Sequence, residues 1–222
     1  MDDINIIEKE SQSNLKVAQF EKELALKSKI NALAEIKKSK ARETLVKIEY
    51  DIADIKKDLA EKRRVLANEK SEIKKNQILD FSEEDLKNEN DYAIYNEKIA
   101  KNQKEIAEVN KKIATTEKQI AEQKLKLSEE KLDVAKVREK LSKIQNLYIK
   151  STRGAASESK IAKSKDKMED QKRNLIKQKN DVLEKEKDIK KKENKLAELK
   201  KELSLRLSER EKIRHPGVIL AG

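Results

Sequence analysis

Residues 99–127 read IAKNQKEIAEVNKKIATTEKQIAEQKLKL, and in them Ile99, Ile106, Ile113, Ile120 and Leu127 stand seven residues apart. The row extends back to Tyr92 and forward through Val134 and Leu141 to Tyr148 without a polar member. Seven residues make two turns of a slightly underwound helix, so such a row keeps to one face. A half-buried strand would alternate every second residue instead. A companion row reads Tyr95, Asn102, Val109, Thr116, Gln123, Glu130, Val137 and Ile144. Its polar middle is expected to lie half exposed.

The rest of the chain has the composition this stretch implies. Charged residues make up 44% and aromatics 3%, with 3 Gly and 1 Pro in 222 residues. A globule of this length needs more large apolar side chains to offset chain entropy. A disordered chain of this polarity usually carries Pro and Gly and no apolar period. The expectation is an all-α fold: a long antiparallel coiled coil of three helices, with turns near 79–82 and 151–157.

The breaks follow from local chemistry. Ser82 with Asp85 has the spacing of a capping box, and Glu83 and Glu84 suit the positive end of a new helix. Gly154 offers a left-handed helix end, and Ser157 a cap for the next helix. His215-Pro216-Gly217 stops the last one. The expected organisation is an N-terminal lead at 1–7, helices at 8–78, 83–150 and 157–214, and an extended apolar tail at 215–222. Each helix is then on the order of 90–105 Å long.

The last helix has a row at Ile161, Met168, Leu175, Val182, Ile189, Leu196 and Leu203. Folding the chain back at Gly154 places Leu141 on Met168, Val134 on Leu175 and Ile113 on Leu196, so turn and register agree. In the first helix Val17, Leu24, Asn31, Lys38, Leu45, Ile52, Leu59, Leu66 and Ile73 form one row, and Phe20, Lys27, Ala34, Ala41, Ile48, Ile55, Lys62 and Glu69 its companion, the apolar stripe being strongest from Ala41 to Leu59. Folding near residue 80 sets Ile55 on Ile106, Ile52 on Val109 and Ile48 on Ile113. The architecture resembles that of membrane-curving BAR domains, although no residue motif carries the likeness.

The residue inventory argues against an enzyme. There is no Cys, and His215 is the single His, too few for a usual zinc site or a Ser-His-Asp arrangement. No glycine cluster followed by Lys-Ser or Lys-Thr cradles phosphate. No cofactor and no small-molecule substrate are expected. Asp2 and Asp3 stand where a secretory signal carries basic residues, and no stretch has the length of an apolar span. A cytoplasmic location, or one inside an assembled particle, is therefore expected.

Three regions are candidates for binding. The hairpin tip holds Leu147, Tyr148, Lys150, Arg153 and Gly154, where apolar residues beside a turn can meet a partner. The tail holds Pro216, Val218, Ile219 and Leu220, an extended apolar segment suited to a sheet edge or groove. Residues 151–222 carry 21 basic and 13 acidic side chains, hence +8 of the net +11. Lys190, Lys191, Lys192, Lys195, Lys200 and Lys201 concentrate this charge and could meet anions. The expected function is a structural adaptor or spacer contacting other proteins of an assembly through tip and tail. The alternatives are a charge-driven binder of nucleic acid or anionic membrane, and a self-assembling filament or other homo-oligomer.

Overall fold

The structure, a computed structural model, describes residues 2–76, 83–154 and 156–213. They form three α-helices: α1 at Asp2–Asn76, α2 at Glu83–Arg153 and α3 at Glu158–Lys212. The fold is all-α, and the described residues hold no strand. The first turn, with Ser82, and the tail lie outside the described residues.

Two boundaries differ from expectation by three residues or more. Residues 2–7, read as a lead, are the first turns of α1. They have work to do there: Ile7 packs against an apolar cluster, and Asn5 accepts a hydrogen bond from Arg153. At the other break, α2 runs past residue 150 to Arg153. Thr152 Oγ1 donates to the Tyr148 carbonyl at 2.9 Å, and Gly154 N–H donates to the Lys150 carbonyl at 2.9 Å. Gly154 is not left-handed; helical bonding continues through it. A Cβ there would lie 3.0 Å from the Lys150 oxygen, so the missing side chain relieves crowding. The helix closes when Ala156 N–H reaches the Ser151 carbonyl at 3.1 Å. Ser157 then starts α3, its carbonyl accepting from Lys160 and Ile161.

The chain divides into two compact units, and every helix contributes to both. The first comprises Met1–Lys37 and Gln119–Glu193, the second Lys38–Lys118 and Asn194–Gly222. In the first unit, Val134, Leu141, Met168 and Leu175 form one buried cluster, flanked by Tyr148 and Val182. These are the residues that folding back at Gly154 brings together. Gln171 Nε2 donates to the Val137 carbonyl at 3.2 Å and holds α3 antiparallel to α2. In the second unit, Asn102 Nδ2 donates to the Arg206 carbonyl at 3.2 Å. In the companion row on α2, Gln123 and Glu130 are half-buried as expected, while the part before them is more enclosed. Asn102, Val109 and Thr116 are buried. Thr116 fits because its hydroxyl donates to the Lys112 carbonyl one turn back, at 2.8 Å.

Helix α1 also runs antiparallel to α2, but with a face the large apolar rows do not indicate. In the first unit the buried residues of α1 are Ser11, Ala18, Ala25 and Ala32, and Ala121, Ser128, Ala135 and Ser142 are buried on α2. In the second unit Ser39, Val46, Ala53, Ala60 and Ala67 are buried on α1, and Ala93, Ala100, Ala107 and Ala114 on α2. Both sets step by seven. Each small side chain removes little apolar area from water, but it lets the backbones approach until many weak contacts form. Ser11 and Ser142 show how close: each hydroxyl donates to the other residue's carbonyl, at 3.0 and 2.9 Å. The expected contacts of Ile48, Ile52 and Ile55 with α2 are therefore wrong. All three are exposed, because bulky residues there would hold the helices apart.

Polar contacts flank this interface within each unit. Arg138 forks onto Glu21 with both bonds at 2.9 Å in the first unit. Arg42 reaches Glu117 at 2.7 Å in the second. Glu97, only 5% exposed, accepts from Lys101 and from Arg64, the latter at 2.7 Å. The hydrogen bond from Lys101, then that from Arg64, holds its carboxyl below the usual carboxylate value. A carboxyl depressed on folding stabilises above its unfolded value of 4.5, and that contribution is lost as pH falls through the lower folded value. We expect Glu97→Gln to flatten the acid limb of a stability–pH profile below pH 4.5, which urea titrations at several pH values would measure. An unchanged acid limb would show that Glu97 contributes nothing to it.

Candidate functional site

The α2–α3 tip is built on a stiffened base. Arg153, at the last turn of α2, donates from Nη2 to Glu8 at 2.7 Å and to Asn5 at 3.3 Å. Its hydrogen bond, and secondarily its charge, keeps the Glu8 carboxyl below the ordinary value, and Arg153 is raised in turn. Below them, Asn14 Nδ2 donates to Gln145 Oε1 at 3.1 Å, and Gln145 Nε2 to Glu10 at 3.3 Å. Arg153 is thus committed to α1. Tyr148 is half-buried against the Leu141–Met168 cluster and closes the last core layer. Leu147, by contrast, is 61% exposed, and Lys150 and Gly154 are exposed beside it.

Reading the sequence missed Asn5, Glu8, Glu10 and Asn14 as parts of the tip. Their signal was faint, since it requires knowing that α1 extends to the end of α2. The tail residues Pro216, Val218, Ile219 and Leu220 lie outside the described residues.

The basic residues of α3 do not act alike. Lys191 pairs with Asp188 at 3.0 Å, Lys192 donates to Gln119 at 2.9 Å, and Lys200 lies 3.7 Å from Glu117. Lys190, Lys195 and Lys201 are exposed. Half of the candidate anion-binding set is therefore occupied with this chain's own polar groups.

Two apolar features were not anticipated. A groove of about 470 Å³ opens in the first unit, where Leu24 and Ala25 of α1, Val134 of α2, and Val182 and Leu183 of α3 meet. In the second unit, α1 leaves Leu45, Ile48, Ile52, Ile55 and Leu59 in solvent, with Leu45 56% and Ile55 68% exposed. Isolated exposed leucines are ordinary, but a continuous row is a mark of an interaction surface.

Among the described residues, no group of three His, Cys, Asp or Glu side chains is placed to hold a metal ion. No described helix is long and apolar enough to cross a membrane. The chain matches no protein-family model, no curated protein and no solved structure.

Proposed function

We propose that this chain is a non-enzymatic structural adaptor: a helical spacer in a larger macromolecular assembly that meets partner proteins at the α2–α3 tip and through its C-terminal tail. The observation that supports this most is Leu147, a large apolar side chain held in solvent on a tip whose neighbours are tied down. Preorganisation of this kind lowers the ordering cost of binding. An exposed leucine on a stiff base can bury its apolar area against a partner at little ordering cost.

The test is affinity capture from nuclease-treated lysate of the source organism, comparing the full chain with Leu147→Glu and with residues 1–213. Recovery of a defined protein by the full chain, reduced tenfold or more by Leu147→Glu or by removing the tail, is the expected result, equivalent to about 1.4 kcal/mol or more. Equal recovery by all three would overturn the assignment of tip and tail. Recovery of nucleic acid or lipid alone, steeply lost with added salt, would favour the charge-driven reading through the α3 lysines.

A further inference from the structure

The row Leu45, Ile48, Ile52, Ile55 and Leu59 alternates steps of three and four, the a and d positions of a two-stranded seam. With Ala41 at the preceding d position, it runs along residues 41–59. Helix α2 does not cover it. The α1 residues buried in this stretch are Val46 and Ala53, with Ala60 just beyond, each one position past the seam's a residues and thus more than a quarter-turn around the helix. The row is a second, complete contact face on a helix whose first face is already used.

The flanking charges identify the occupant. Asp51 and Asp58 precede a positions, while Lys56 and Arg63 follow d positions, and all four are exposed. If a second α1 lies parallel and in register, Asp51 of each chain faces Lys56 of the other and Asp58 faces Arg63, two attractions against the one repulsion of Lys37 with Arg42 at the N-terminal edge. The symmetry makes each attraction twice. An antiparallel copy is disfavoured by the same residues. The register that best matches the apolar layers there, with Leu45 against Ile55 and Ile48 against Ile52, sets Asp51 against Asp51 and Glu49 against Glu49. It also sets Lys56 against Arg42. Each of these three flanking contacts is repulsive. Lys62, at the next d position, bounds the seam on its C-terminal side.

From this complementarity we infer that residues 41–59 of α1 form a parallel, in-register seam with a second copy of this chain. The pairing is independent of the tip and is measured on the purified chain alone. Sedimentation equilibrium from low to high micromolar concentration is expected to show twice the chain mass. Asp51→Lys/Asp58→Lys and Lys56→Asp/Arg63→Asp are each expected to be monomeric, and an equimolar mixture of the two to form a mixed dimer. Circular dichroism checks that each variant keeps its helix content, as exposed substitutions should. Orientation is read separately. The chain has no Cys, so Ala41→Cys supplies a single thiol that meets its counterpart only in the parallel register. Rapid disulfide formation in the dimer supports the inference. A full chain that stays monomeric at high micromolar concentration overturns it. So does a dimer indifferent to the charge variants, or one in which the thiols introduced by Ala41→Cys do not join.

Discussion

Replacing Ala114 by Leu is expected to lower the melting temperature more than any other change of one small residue in this chain. Ala114 is 0% exposed and lies in the small-residue row through which α2 meets α1. The adjacent Ala107 and Ala121 belong to the same row, so the surface is uniformly shallow. An isopropyl group there has no cavity to enter. Either the side chain leaves its preferred rotamer or the helices separate locally and lose contacts over neighbouring layers. Overpacking costs about 1–3 kcal/mol at an ordinary core site. The upper end is expected here, because close backbone approach leaves no flexible side chains to give way. At about 2–4 °C per kcal/mol for a chain of this size, the melt should fall by roughly 6–12 °C. Ala197→Leu, at an exposed position of α3, is the control and should change the melt little. Equal melts for the two variants would mean that the alanine row is not a close-packed interface.

The second large effect lies one residue away and has the opposite cause. Ile113 is 1% exposed and belongs to the long apolar row of α2. Ile113→Ala removes large, fully buried aliphatic bulk and leaves a cavity. Such truncations cost about 2–5 kcal/mol, depending on how far the site collapses. The melting temperature followed by circular dichroism should therefore fall by roughly 4–20 °C. A loss near 1 kcal/mol would indicate that the surroundings close around the smaller residue. Side by side, these positions show that α2 serves two partners by different means. At 113 size is needed, and at 114 size is forbidden.

That difference explains what could and could not be read from the chain. The α2–α3 packing was legible because its row consists of large apolar residues, and one reverse turn at Gly154 brings Leu141 to Met168 and Val134 to Leu175. The α1–α2 packing was in plain view yet misread. Ala18, Ala25 and Ala32 repeat every seven, as do Ala93, Ala100, Ala107, Ala114 and Ala121. The larger Leu45, Ile52 and Leu59 repeat at the same interval one residue earlier, and hydrophobicity favours them. Period alone cannot choose between two rows of equal spacing. The smaller row is buried because only small residues allow the Ser11–Ser142 backbone approach. Of the tip, Leu147 was legible as an apolar residue beside a turn. The commitment of Arg153 to Glu8 and Asn5 was not, because it joins residues at distant points of the sequence.

The repeating alanine surface also has a weakness. In the first unit, moving α1 by seven residues along α2, about 10.5 Å, would again set small residues against small residues. Van der Waals packing of the alanines scarcely distinguishes the two alignments. What distinguishes them is polar: the reciprocal Ser11–Ser142 bonds, the Asn14–Gln145 amide pair and the fork from Arg138 to Glu21. In the shifted alignment Gln145, now fully enclosed, would lose Asn14. Hydrogen-bonding and charged residues, near the tip in the first unit and at Arg42–Glu117 and Arg64–Glu97 in the second, therefore carry the information about alignment, while the alanines carry the cohesion. A chain altered at Ser142, Gln145 and Arg138 would remain helical but lose the contacts that favour one alignment in the first unit.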